Sequence, residues 1–360
     1  MSTSTDEHDS YLVENWDTET LIVHLKEQKL NLEKKHFDIL RNEEITGLSF
    51  LDMTEEKLRS YGFKGGPATL LAKEAKTLKE KPKRPFSSYK SLSEVLAKYG
   101  IDSNSTDSIP LFSLQTHKIQ DSDKHFEHCV AEILVRLKNY GSLVMDSLEA
   151  MRNEYVVAIL HTAINITRDS TGEELSMRPE YEVIGDESTG RVDFAIKVME
   201  LFLVYFFTSL EVILMPYLLW SSQKAENLIC VTENKPERNL IDGFAQNIKQ
   251  LESSFQTNMR KRKRDDGDDF DYLYGIVTTA RDWHFLLYTP GIISQGGKLP
   301  LSIEFSEDAL KKDSVEYQTL HNGVKKVLGV VVGLLKDRAC AEDDSLSKKK
   351  ARIEEYHSKK

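Results

Sequence analysis

Three residues near the middle of the chain could do chemistry together. Glu233 and Lys235 close the apolar run LICVTENK, residues 228–235. Side chains alternate along a strand, so these two project from one face. Asp193 lies inside RVDFAIK, residues 191–197, a strand by the same alternation, and can come opposite them. Two carboxylates and an ammonium then converge. Hard oxygen ligands suit Mg²⁺ (or Mn²⁺), and Mg²⁺ is commonly held by one or two carboxylates together with substrate phosphate. Such an ion can activate water and offset the charge of a phosphodiester under attack. Lys235 would hold or deprotonate the water, or clamp the phosphate.

The flanking elements must position this group. Leu148, Met151, Tyr155, Ile159 and Thr162 share one face of a helix. MRPEYEVIG alternates as a strand and GDESTG, Gly185–Gly190, is a turn. After LICVTENK, Pro236 stops the strand and Phe244–Phe255 gives a helix. Tyr272–Thr289 reads as a hairpin around Ala280-Arg281-Asp282.

This helix–strand–strand–strand–helix order, with Asp…Glu-x-Lys and a Gln-bearing helix downstream, resembles the PD-(D/E)xK nuclease superfamily over residues 123–340. The resemblance implies an α/β domain with a small mixed sheet flanked by helices. It implies metal binding by Asp193 and Glu233, and a Lys235 that orients the nucleophile. It further implies support from a Gln in the following helix, Gln246 ahead of Gln250, and from a Glu in the preceding helix, Glu154. Val192 stands where the family's eponymous Pro would be.

The N-terminal stretch is punctuated differently. Asp17 and Thr54 are helix caps, with Glu55 and Glu56 in a first turn where the helix dipole favours acids. Gly62 ends that helix, and Gly65-Gly66-Pro67 opens another carrying Leu71, Ala75 and Leu78 on one side. Trp16, the run Ile45–Phe63 and GGPATLLAKEAKTL resemble a SAM domain over residues 11–80; Gly47, Leu51, Met53, Thr54, Leu58 and Gly62 fill its pattern. That resemblance implies an all-α five-helix bundle used for self- or hetero-association, and sometimes for RNA. The pairing of the two domains, with YLYGIVTTARDWHFLLYT and KKVLGVVVGLLKDRA, resembles Crinkler-related proteins carrying a restriction-endonuclease-like domain. The LFLAK-type leader of that group's founding members is missing, and LFLVYF at Leu201 is misplaced for it.

Composition narrows the classes. The 360 residues carry a net charge of −10, which argues against a uniformly basic nucleic-acid coat but leaves room for a local basic groove. Cys129, Cys230 and Cys340 form no CxxC pair, so neither a zinc module nor a disulfide framework is expected. MSTSTDEHDS has no apolar core of a secretory signal. Two basic clusters, Arg260, Lys261, Arg262, Lys263, Arg264 and then Lys348, Lys349, Lys350, Arg352, read as exposed nuclear-import signals or phosphate contacts. The expected organisation is a disordered lead over 1–10, the SAM domain over 11–80, a linker over 81–122 with one short helix around Leu92–Tyr99, the nuclease-like domain over 123–340 and a charged tail over 341–360.

One segment departs from its surroundings. Residues 198–220 are almost wholly apolar, and only Glu200 and Glu211 among them are charged. Length permits a membrane span, but mid-span glutamates and Pro216 oppose it. Without Val198–Gln223, the 40 positions between Asp193 and Glu233 become 14, and Lys224–Asn227 makes a charged four-residue turn. Val codons begin with GT and one Gln codon is CAG, so a retained intron is expected here, against an inserted helix or membrane anchor.

The functional expectation is an Mg²⁺-dependent nuclease, nuclear or otherwise cytoplasmic, acting on DNA rather than RNA, with a SAM association module. The competing expectation is a non-catalytic interaction or nucleic-acid-binding protein on a degenerate nuclease fold.

Overall fold

A computed structural model describes residues 13, 16–28, 30, 32–79, 83–200, 225–261, 271–341 and 346–358. They form two compact units, Met1–Arg84 and Pro85–Lys360.

The first unit is helical: α1 (Thr18–Glu27), α2 (Lys34–Asn42), α3 (Gly47–Phe50), α4 (Glu55–Ser60) and α5 (Gly65–Lys79). The caps read from sequence are formed. Asp17 accepts from Thr20 N–H at 2.7 Å and Thr54 accepts from Lys57 N–H at 3.3 Å. Trp16, Leu21, Leu25, Phe50, Leu58 and Leu71 fill a single apolar core. Gly47 is required by close approach: a Cβ there would lie 1.7 Å from the Val13 carbonyl oxygen.

The second unit has helices on both faces of a mixed sheet. Its helices are α6 (Leu92–Ala97), α7 (Lys124–Tyr140), α8 (Glu149–Thr171), α9 (Leu240–Lys261), α10 (Val315–Cys340) and α11 (Leu346–Ser358). The longer strands are β1 (Leu175–Ile184), β2 (Ser188–Glu200), β3 (Ala225–Asn234), β4 (Leu273–Thr278), β5 (Asp282–Thr289) and β6 (Ile292–Gln295). Neighbours pair in chain order. All pairs are antiparallel except β3–β4, where α9 makes the crossover between parallel strands. One face packs Phe194, Ile196 and Ile229 against α7, α8 and α10; the other packs Val192, Ala195 and Val231 against α6 and α9.

Val192 and Phe194 are two residues apart yet pack on opposite faces. Regular alternation would put them on the same face, so the pleat slips at Asp193. The partner strand is irregular at the same level. Pairing of β1 with β2 passes from Pro179–Phe194 to Tyr181–Val192, and the intervening Glu180 has φ of 48°. Pairing of β2 with β3 begins only at Phe194–Thr232. Asp193 therefore stands where β2 is released from regular pairing on both sides.

Three expectations need correction. Residues 81–122 are not a linker where they are described: Phe86, Tyr89, Leu92, Leu96 and Ile109 are buried in the core beneath α9. Their apolar side chains are sparse but every one named is used. Residues 346–358, within the stretch expected as a charged tail, form α11, with Ile353 and Tyr356 buried. Asp337 anchors it, accepting from Tyr356 Oη, from Arg352 at 2.9 Å and from Tyr272 and Tyr274 at 2.8 Å each. Consequently Lys349 is buried and Arg352 is tied down, while Lys348 and Lys350 are exposed. Finally, Val198 does not begin an excursion. It is buried in β2, and Val198–Glu200 pair with Ala225–Asn227. The remainder of the apolar segment, 201–224, and the basic residues Arg262–Arg264 lie outside the described residues, as do the side chains of Arg260 and Lys261. Among the described residues no helix is long and apolar enough to cross a membrane.

Candidate active site

The chemistry sits where β2 and β3 part, at Asp193 in the middle of β2 and Glu233 near the end of β3. Glu233 follows Thr232 on β3 and is 3% exposed; it shares the parity of Val231 and so faces α9. There Gln250 donates from Nε2 to Glu233 Oε2 at 2.6 Å. Lys235 Nζ stands 2.7 Å from Glu233 Oε1. Gly243 lets α9 come this near: a Cβ there would lie 3.1 Å from Lys235 Cγ and from Val277 Cγ1. Asp193 is held from the other side, its Oδ2 accepting the backbone N–H of Asn234 at 2.6 Å.

Asn234 points to the opposite face and meets α8. Its amide donates to Asn153 Oδ1 at 2.6 Å and accepts from Arg152 Nε at 3.1 Å. Glu149, the first residue of α8, acts on Asp193, Glu233 and Lys235 through its charge.

Burial pushes the Asp193 carboxyl up to about 7, and the neighbouring Glu233 adds to the shift; the Asn234 N–H and Lys235 only partly offset it. Burial likewise raises Glu233 against the pull of Lys235 and Gln250. For Lys235, burial favours the neutral amine, but Glu233 and Asp193 outweigh it and hold the ammonium. Both carboxyls are thus inclined to hold a proton, and one lysine does not make up for their burial. Two hard carboxylates in that condition fit a divalent cation such as Mg²⁺. Among the described residues no group of three or more His, Cys, Asp or Glu side chains converges as a ready-made cage.

The structure brings Asp193, Glu233 and Lys235 together. It does not bring Glu154: that side chain is exposed and paired with Arg136 at 3.3 Å. Glu149 is the acid that α8 presents instead. Gln250, one turn beyond Gln246, is the glutamine on Glu233; Gln246 is buried on the same helix. Sequence reasoning missed Arg152, Asn153 and Asn234 altogether. Their signal was helical spacing: positions 149, 152 and 153 share a face with the buried Val156.

Beside the strand ends lies a cleft of about 440 Å³, lined by Met145, Leu148, Glu149, Arg152, Pro236 and Arg238 among others.

Comparison with known proteins agrees with part of this picture. Residues 2–77 match the family described as a SAM-like domain. Crinkler effector protein 1 of Rhizophagus irregularis is 27% identical over 287 residues, which is 78% of this chain and 52% of that protein. The chain therefore spans about half the length of the curated relative it matches. The findings support a multidomain chain with a SAM-like helical region and a distant similarity to a Crinkler protein.

Proposed function

We propose that the chain hydrolyses nucleic-acid phosphodiester bonds with Mg²⁺ or Mn²⁺, its SAM-like region serving association with itself or another protein. One observation carries the reading: Asp193, Glu233 and Lys235 meet at a strand fork, beside an open cleft. Asp193 and Glu233 would hold the ion, which when bound lowers the pKa of water and offsets phosphate charge. Lys235, still an ammonium, would orient the water or the phosphate. Gln250 fixes the Glu233 carboxylate, and the Asn234 N–H fixes Asp193; such outer partners typically tune metal affinity.

We read DNA rather than RNA as the substrate. The likeness to Crinkler effector protein 1 supports relating this chain to that effector family. Nuclear import is assigned to the cluster at 260–264, because the second cluster is partly occupied: Lys349 is buried and Arg352 binds Asp337.

The test is nicking of supercoiled plasmid by the full chain with Mg²⁺, with Mn²⁺ and with a chelator. Metal-dependent nicking that disappears in Asp193→Asn supports the reading. Nicking that survives Asp193→Asn, or none with either metal, overturns it in favour of a binding protein on the same scaffold.

A further inference from the structure

The turn between α7 and α8 has no part in the chemistry of the strand fork, yet it is firmly built. Leu143 is buried and its N–H donates to the Phe305 carbonyl at 3.0 Å. Val144 N–H donates to Ser147 Oγ at 3.1 Å, Ser147 N–H returns to the Val144 carbonyl at 3.1 Å, and Arg152 donates to the Ser147 carbonyl. This fixed turn holds Val144, Met145 and Leu148 at 55%, 59% and 79% exposure. Single exposed apolar side chains need no explanation, but three grouped on one braced turn mark a contact surface.

Its position says what the contact is. Met145 lines two hollows at once. One is the cleft of about 440 Å³ beside the strand ends. The other, about 270 Å³, has Arg281 on its wall. The larger hollow borders the fork through two of its lining residues: Pro236 follows Lys235, and Arg152 donates to Asn234. A groove for a phosphate backbone should be basic throughout. This one mixes Arg152 and Arg238 with Asp146 and Glu237, between apolar walls from Met145, Leu148 and Pro236. Apolar faces with both donors and acceptors at their edges suit a flat neutral base, not a row of phosphates. Met, Leu and Pro are also side chains that enter a base step and unstack it.

We propose that the Val144–Leu148 turn is a wedge and that the cleft beside it holds an unpaired base, so that the substrate is DNA with unpaired bases next to the cut. The proposal rests on the hydrolase reading for its location, and its test separates the two. Full-length Asp193→Asn is bound to a splayed-arm DNA carrying 2-aminopurine at the junction. Fluorescence should rise at least ~2-fold as that base leaves the stack. Met145→Ser/Leu148→Ser, at exposed positions that do not support the core, should remove most of that rise. With Mg²⁺, the unmodified chain should cut the splayed-arm DNA at least ~10-fold faster than a blunt duplex of the same sequence, a stacking-sized effect. The double substitution should bring that ratio close to one. Equal rates on the two DNAs, an unchanged 2-aminopurine signal on binding, or a ratio indifferent to the double substitution would each overturn the wedge. An absence of cutting on every DNA overturns the hydrolase instead, and the fluorescence still decides the wedge.

Discussion

Beside the β1–β2 turn, Lys98 and Lys249 face Glu187 and Glu252; at the strand fork, Lys235 faces Asp193 and Glu233. Both groups are largely buried, and they are built on opposite plans. In the first, Lys98 reaches both glutamates, with Glu187 Oε1 at 2.7 Å. Lys249 also reaches both, Glu187 Oε2 at 2.8 Å and Glu252 Oε2 at 2.6 Å. Two charges of each sign close a square. Burial alone would raise the Glu187 carboxyl, but Lys249 and Lys98 outweigh it and leave it below the usual range. In the second, one ammonium serves two acids, and both acids are raised. A charge group that serves the fold is neutralised by its own members. The group at the fork sets two buried, raised carboxyls against one ammonium, the imbalance that the proposed cation would relieve.

The sharpest way to break that contrast is to neutralise one member of each group. Asp193→Asn or Glu233→Gln should lower metal-dependent hydrolysis more than ~100-fold, since losing even an outer-shell partner typically costs 10–100-fold in metal affinity or activity. Yet Asp193→Asn should leave the thermal midpoint unchanged or higher at pH 8 in chelator, because it removes repulsion. Differential scanning calorimetry beside a nicking assay reads both; a large fall in midpoint would mean that the fork is structural. Glu187→Gln should do the reverse. Removing one partner of a buried ion pair costs about 3–5 kcal/mol, read by urea unfolding, with nicking retained in whatever remains folded. The pH sign follows from the depressed carboxyl. Its unfolded value is near 4.5 and its folded value lower, so its contribution is present above about 4.5 and is lost as pH falls through the folded value. Below about pH 4.5 the unmodified chain should lose stability more steeply than Glu187→Gln.

The two groups were not equally legible in the sequence. Asp193, Glu233 and Lys235 could be read because strand alternation and a short motif place them, and both are local signals. Nothing local marks Lys98: its partners Glu187 and Glu252 lie 89 and 154 positions away. The segment holding it, with KPKRP, FSSYKS and DSNSTDS, has the composition of a linker, and only tertiary burial of Phe86, Tyr89 and Leu92 shows otherwise. The same holds for α11, where Ile353 and Tyr356 are apolar contacts in a charged stretch. The caps of the N-terminal helices were legible for the opposite reason, since Asp17 and Thr54 bind groups three residues away. Choosing between Gln246 and Gln250 needed the depth of α9 against the sheet, which helical periodicity cannot supply, as the two are one turn apart on one face.

That choice gives a smaller effect to measure. Gln250→Ala removes the amide that fixes Glu233 and should cost roughly 10-fold in metal affinity or rate. Gln246→Ala should cost less. Titrating activity against Mg²⁺ for the pair ranks them, and a reversed order would return Gln246 to the role the sequence suggested.

The smallest expected effect falls on α8, where an acid was expected at Glu154. In the fold Glu154 is exposed and bonded to Arg136, itself on α7, so it closes a surface ion pair between two helices. Exposed pairs are worth about 0–1 kcal/mol, so Glu154→Ala should leave stability within that range and hydrolysis within ~2-fold. Glu149, at the start of the same helix, bears on every member of the fork through its charge. Glu149→Ala therefore should lower the affinity for the ion, by less than loss of Asp193 or Glu233 does. The two substitutions share a helix, a residue type and an exposed position, and differ chiefly in which way they face. A Mg²⁺ titration of the two variants side by side isolates that one variable. If Glu154→Ala weakens the metal response and Glu149→Ala does not, α8 turns its other face to the ion, and the cleft beside Arg152 cannot lead to the carboxylates.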